Sequence, residues 1–479
     1  MSILDINIPV NYYFEEISKI PRGSYNEQKI ADYVENFAKE HNLRYVRDQV
    51  NNLIIYKDAS SGYEEHEAIM LQAHMDMVNE KNKDSDHDFD NDPLDLYIDD
   101  GFITAKGTTL GADDGYGVAY MLALLSTDNV KHPPLECVFT VCEEVGLDGA
   151  LAFDGNLISA NRMIGLDSET EGETCTTSSG GCDVMVDKDL HFVDNTKPIY
   201  ELMIKGLQGG HSGREISNGR GNANKLAIRV MYGFIKEKLD IQLIDIEGGL
   251  KNNAIPRECT IIFSSESDFN ELKKVADTYQ SYFKEEFEFS DSGVLAELKA
   301  VSKSLPQALS NAESKEVIEM MNVLKNGFVE RSFAIKDLTV ISLNMGVVRI
   351  ENNQLKINYL LRSPMKSAVE NMCDELNIVA RAFNASTVSS NYYPGWLYDP
   401  DSKLRDQFKE FYLKHTGKQL KEVASHGGLE TGIFKGKKPN LDIITMGPDM
   451  SDIHTPDERM NIASFVNCYQ LLCDFIATL

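Results

Sequence analysis

The run LQAHMDMV, Leu71 to Val78, constrains the fold most tightly. An apolar segment enters it from Ile69 and delivers His74 and Asp76, the pattern of a buried strand that presents polar side chains at its end. Alternation along a strand turns both residues to one side. A neutral imidazole binds a metal through one nitrogen while the other donates to a carboxylate, and Asp76 is spaced to orient His74 in that way. A lone His-x-Asp is commonly a satisfied core histidine, so the reading depends on what recurs elsewhere.

The device does recur. GTTLGADDGYGVAYMLALLS sets Asp113 and Asp114 among glycines before an apolar helix, in a tight turn at or beside its start. LECVFTVCEEVGLDGA is an apolar strand ending in Glu143 and Glu144, two neighbours pointing in different directions. RMIGLDSETEGE ends in Asp167, and LDIITMGP leads to His454 in SDIHTPDERM. Open α/β sheets bind ligands beyond the carboxyl ends of their strands. The set His74, Asp113, Glu144, Asp167 and His454 offers mixed nitrogen and oxygen ligands suited to two zinc ions, with manganese or cobalt as alternatives. Shared between two ions, Asp113 gives each of them three protein atoms. Glu143 is then left over as a general base, which is what a hydrolase needs beside a metal-activated water.

Composition narrows the classes. At 479 residues, 42% of them hydrophobic, the chain exceeds one ordinary core and is expected to form two domains. No apolar run approaches the ~20 residues of a membrane span, and the amino terminus lacks a basic segment followed by a long apolar one, so a soluble cytoplasmic protein is expected. Eight cysteines without a C-x-x-C pair read as reduced core thiols. A formal charge of −28 argues against nucleic acid and anionic membrane as partners.

Elsewhere, Ser24 followed by Glu27 reads as a capping box opening a helix with Ile30, Val34 and Phe37 on one face. In KNKDSDHDFDNDPLD, Asp84, Asp86 and Asp88 alternate as in a calcium loop, but Phe89 stands where glycine is required, so a solvated loop is expected. The glycine spacing around Asp113 fits neither a P-loop nor a dinucleotide fingerprint. From about Asp189 the pattern becomes α+β, with helices around 223–238, 314–325 and 367–383 and a hairpin turning at Glu351 to Asn353. This part contains GLQGGHSGREI around His211 and KNNAIPRE around Asn253. The first style then returns and closes on an amphipathic helix near 460–479. The expected architecture is an α/β domain, 1–186 and 399–479, with a mixed, largely parallel sheet flanked by helices, interrupted by an inserted α+β domain, 187–398.

Taken together in this order, HMDMV, GTTLGADDG, CEEVGLDGA, GLDSETEGE, GGHSGREI, NAIPRE, YPGW, SHGGLE and SDIHTPDER resemble the aminoacyl-histidine dipeptidases of the M20 metallopeptidase family. The resemblance implies a dinuclear zinc catalytic domain, an inserted lid that also forms a homodimer, and hydrolysis of dipeptides, notably Xaa-His. It makes His74 and Asp167 ligands of one ion and Glu144 and His454 ligands of the other, with Asp113 bridging, Asp76 orienting His74 and Glu143 as base. It also implies a cis peptide between Asp113 and Asp114. In the lid it casts His211 as an oxyanion donor and gives Asn253 and Arg362 the substrate's carboxylate end; His426 and Glu430 lie near the amino end. The family usually carries GADNG where this chain has GADDG. Other amide hydrolases of the family, such as a tripeptidase, a cysteinylglycine dipeptidase or an aminoacylase, share the ligand spacing, and a binding protein on a decayed scaffold is the reading from outside enzymes.

Overall fold

The computed structural model of the chain describes residues 2–302 and 304–479. It divides into two compact units: one runs to Ser178 and includes Trp396–Ala424 and Leu429–Leu479, the other comprises Ser179–Gly395 and Ser425–Gly428. The change of pattern read at 187 in the sequence falls inside the strand Gly180–Asp189, which belongs wholly to the second unit.

The first unit is built on a six-stranded sheet in the order Arg44–Arg47, Leu53–Lys57, Leu135–Thr140, Ile69–His74, Arg162–Gly165, Asp442–Thr445. Ile69–His74 pairs in parallel with the strands on both sides, and Asp442–Thr445 extends the parallel set. Four carboxyl ends therefore emerge along one edge, the geometry that gathers the acids and histidines beyond them. Ile69–His74 is buried at every position, as a central parallel strand covered on both faces must be. The helix Ala112–Ser126 packs on it through a nearly continuous apolar surface that includes Val118, Met121, Leu122 and Leu125. At roughly 1.5–3 kcal/mol per large side chain, such burial fixes the helix start firmly against the strand end.

Two local expectations change. No capping box forms: the helix Gln28–Glu40 has Glu27 at its N-cap without a side-chain cap, and Glu27 Oε1 accepts from the amides of Tyr25 and Cys142. Ser24 instead donates to Asp76 Oδ2 at 2.8 Å, a stronger partner because it is charged. The strand also ends at His74, so Asp76 lies in the turn beyond it. Asp84, Asp86 and Asp88 are exposed on their loop, and all eight cysteines are free thiols.

The second unit is a nine-stranded sheet covered by helices Ala223–Lys236, Phe269–Glu286, Asn311–Val323 and Lys366–Ala382. Its long hairpin pairs Thr339–Glu351 with Gln354–Ser363 through Asn352 and Asn353, both at positive φ (52° and 60°), as a tight two-residue hairpin turn requires. Among the described residues, no helix is long and apolar enough to cross a membrane.

Candidate metal centre

Asp113 stands at the middle of the first unit's polar edge. Its Oδ1 lies 3.1 Å from His74 Nε2 and its Oδ2 lies 3.2 Å from His454 Nε2, so one carboxylate faces two imidazoles. His454 Nε2 is also 3.0 Å from Glu144 Oε1. Three overlapping groups have ligand atoms all within 4.8 Å of one another: His74 with Asp113 and Asp167, Asp113 with Glu144 and His454, and His74 with Glu143 and Glu144. All five sequence-predicted ligands and Glu143 thus come together. The chain leaves Gly111 at φ 64°, and a cis Asp113–Asp114 peptide breaks the start of the Ala112–Ser126 helix, where both residues have non-helical φ and ψ, so Asp113 sits in a loop before the regular helix. Asp114 is fully buried and accepts from the amides of His74 and Gly117, both at 3.2 Å.

Electrostatics fit cations here. Burial, reinforced by the charge of Asp113, pushes the Asp167 carboxyl up to about 7, and burial raises Glu143 well above the usual carboxylate range. Burial acts the same way on Asp113, but hydrogen bonds from His454 and His74 outweigh it and hold that group low. Bonds to Asp113 and then Glu144 push the His454 imidazole up to about 11. So many acids around two imidazoles make a donor set that divalent ions suit, because only added positive charge lets all of them ionise together.

Asp76 faces His74 as the sequence suggests, through its backbone as well as its side chain. His74 Nδ1 bonds the Asp76 backbone carbonyl at 3.1 Å, while the Asp76 carboxylate stands 3.5 Å away. With Nδ1 so engaged, Nε2 is the nitrogen presented to Asp113. The Asp76 carboxylate also holds the turn carrying the two glutamates, accepting from the amide of Glu143 at 3.0 Å and of Glu144 at 3.3 Å. Glu430, read from sequence as a substrate group, is buried: its Oε2 accepts from Gln72 and from Thr140, both at 2.6 Å, and burial pushes its carboxyl up to about 8. Arg22, Glu458 and Gln72 were not singled out by sequence, and Ser24 was read only as a helix cap; each is polar and buried or half-buried beside this edge, a state that sequence pattern alone does not reveal.

The second unit assembles the remaining candidates among themselves. Arg362 is 4% exposed on the strand Gln354–Ser363 and reaches Tyr393 Oη at 3.1 Å and Ser212 Oγ at 3.4 Å. Ser212 in turn donates its amide to the Asn253 carbonyl at 2.8 Å. His211 sits on a two-residue strand opposite Ala254, and its Nδ1 accepts from the Gly213 amide at 3.3 Å. Burial, and then the charge of Arg362, lowers it to about 4. The same two causes lower His426 to about 3, and its Nε2 bonds Ser342 Oγ at 2.7 Å.

Comparison with known proteins gives the family. The sequence model of peptidase family M20/M25/M40 matches residues 70–478. The cytosol non-specific dipeptidase of Escherichia coli (strain K12) is 38% identical over 469 residues, 97% of this chain and 96% of that one. The crystal structure of aminoacylhistidine dipeptidase from Vibrio alginolyticus superimposes with a TM-score of 0.89 at 34% identity, over 98% of this chain and 96% of that one. Aminopeptidase PepT from Bacillus cereus shares the fold alone, with a TM-score of 0.55 at 17% identity over 99% of each chain. The chain belongs to peptidase family M20 and is a peptide hydrolase.

Proposed function

We propose that the protein is a dinuclear zinc dipeptidase that cleaves Xaa-His dipeptides preferentially, with manganese or cobalt as alternative metals. The observation that carries the reading is the division of Asp113 between two histidines, one carboxylate oxygen to each. On this reading His74 and Asp167 hold one ion, Glu144 and His454 the other, and Asp113 both. Bound divalent ions supply Lewis acidity, lowering the pKa of water and polarising a carbonyl. Glu143 takes the proton from the attacking water and returns it to the leaving amine, so that one water is consumed and a carboxylate and an amine are released. Asp76 fixes the turn from which Glu143 works.

Roles in the second unit belong to the same proposal. His211 is neutral with Nδ1 accepting, which leaves Nε2–H as a donor suited to an oxyanion. Arg362 offers a planar, permanently charged fork for a carboxylate, with Asn253 linked to it through Ser212. His426 is neutral with its Nε2 bonded to Ser342, and His426 and Glu430 lie near the substrate's amino end on this reading.

Support for dipeptides comes from the names of the Escherichia coli and Vibrio alginolyticus relatives, and support for His at the second position from the latter. The former is called non-specific, which favours a second reading with a broad dipeptide range. That same relative supports a cytoplasmic location. A homodimer through the second unit is supported by the terminal sheet strand Ser386–Tyr393, where Val388 is 58% exposed, and by Ile378, 65% exposed on the helix Lys366–Ala382. The test is hydrolysis of Xaa-His dipeptides, other dipeptides, tripeptides and N-acyl amino acids by zinc-loaded protein, with Glu143→Gln as control. Xaa-His cleavage above the rest, lost in the variant, is the expected result. Equal rates on all dipeptides select the broad reading, and no dipeptide cleavage with two ions bound removes both.

A further inference from the structure

Beneath the candidate metal centre lies a second carboxylate that touches no candidate ligand side chain. Glu458 is 2% exposed and follows His454 by one helical turn's worth of chain. Its Oε2 accepts from the amides of Leu110 at 2.8 Å and Gly111 at 3.0 Å, and its Oε1 from those of Ala112 at 2.8 Å and Asp113 at 3.3 Å. Four consecutive amides therefore converge on one buried side chain. Its backbone carbonyl is held in turn by Thr104 Oγ1 at 2.8 Å.

The carbonyl side of the same loop is held by a cation. Arg22 is 1% exposed; its guanidinium donates to the carbonyls of Met75 at 3.0 Å and Asp76 at 3.2 Å, and also to that of Gly111. One side chain thus ties the turn after His74 to the loop before Asp113. Gly111 is needed for this approach, since a Cβ there would stand 2.6 Å from the Arg22 Nη2 and 2.7 Å from the Met77 sulfur.

We infer that Glu458, with Arg22 opposite it, is the positioning residue of the Asp113 loop, fixing the backbone so that the two carboxylate oxygens of Asp113 face His74 and His454. The inference rests on the reading of Asp113 as a shared ligand. A loop gripped through its amides on one side and its carbonyls on the other leaves the Asp113 side chain only its own rotamers to settle, so both ion sites are set at once. Charge-assisted bonds to backbone amides are among the strongest available, and a neutral amide in place of the carboxylate turns an NH₂ group toward donors it cannot accept from.

The test is cobalt(II) titration of metal-free protein, followed by visible absorption, on wild type, Glu458→Gln and Glu458→Asp. Glu136→Gln is the matched control. Glu136 is another buried carboxylate of the same unit; it holds the amides of Ser159 and Ala160 at the opposite end of its strand. Wild type binding two equivalents supports the shared-ligand reading, and a single equivalent would remove that reading on its own. Glu458→Gln is expected to weaken both steps by ~10–100-fold and to alter the cobalt spectrum, with Glu458→Asp intermediate and Glu136→Gln unchanged. Two cobalt ions bound by Glu458→Gln with wild-type affinity and spectrum would overturn the inference. So would equal losses in Glu458→Gln and Glu136→Gln. Should the variants not fold, amide hydrogen exchange on the metal-free wild type decides. Protection of Leu110 to Asp113 comparable to that of Ile69–His74 is expected, and free exchange of those four amides overturns the inference.

Discussion

Asp76 Oδ1 lies 3.0 Å from the backbone nitrogen of Glu143, and Asp76 Oδ2 lies 3.3 Å from that of Glu144. A residue spaced to orient a histidine is thereby bonded to the turn that carries the candidate base and a candidate ligand. Asp76→Asn presents an NH₂ to one of those amides and to Ser24. A fall of ~10–100-fold in kcat/KM is expected, with metal affinity reduced as well, because both glutamates lose their common anchor. Steady-state kinetics and metal analysis on the same preparation check this; wild-type kinetics would remove Asp76 from the account.

Metal binding should release protons. His454, held up to about 11 by Asp113 and Glu144, is charged in the metal-free protein at neutral pH, and Asp167, raised to about 7 chiefly by burial, is about half protonated there. A bound ion needs both deprotonated, so apparent affinity falls as pH falls. Calorimetry in buffers of different ionisation enthalpy is expected to show at least one proton released per chain near about pH 8 and more near about pH 6. Binding with no proton release at either pH would contradict the ligand set.

Arg362→Lys keeps the charge and removes the fork. If Arg362 holds the substrate's carboxylate, KM for dipeptides rises by ~10–150-fold while kcat changes less, the loss expected for a charged hydrogen bond. Dipeptide amides, which lack the carboxylate, should lose little further activity in the variant. An unchanged KM for free dipeptides would show that this side chain serves only Tyr393 and Ser212.

Much of the centre was legible because His74, Glu144 and Asp167 come at or just after the ends of apolar strands that parallel pairing brings to one edge, while Asp113 stands in a glycine turn at a helix start. The hairpin at Asn352 and Asn353 was legible for a similar local reason, polar turn residues between two alternating runs. The helix Phe269–Glu286 was not read: only Leu272, Ala276 and Phe283 of its 18 residues are buried, so its apolar stripe is thin. Ser24 was read as a helix cap because sequence shows a neighbour three residues away and cannot show Asp76 across the fold. Arg22 and Glu458 escaped for a related reason, since bonds to distant backbone leave no periodicity. Glu430 stands in an open-looking glycine context yet is buried, and only the tertiary partners Gln72 and Thr140 reveal it.

The most direct measurement is the number of zinc ions bound per chain at saturation, determined by elemental analysis on wild type and Asp113→Asn, with dipeptidase activity recorded alongside. The account predicts two ions per active wild-type chain, and in Asp113→Asn a loss of affinity at both sites together with loss of activity. One ion per fully active chain, or an Asp113→Asn protein that keeps both ions at wild-type affinity, would contradict it.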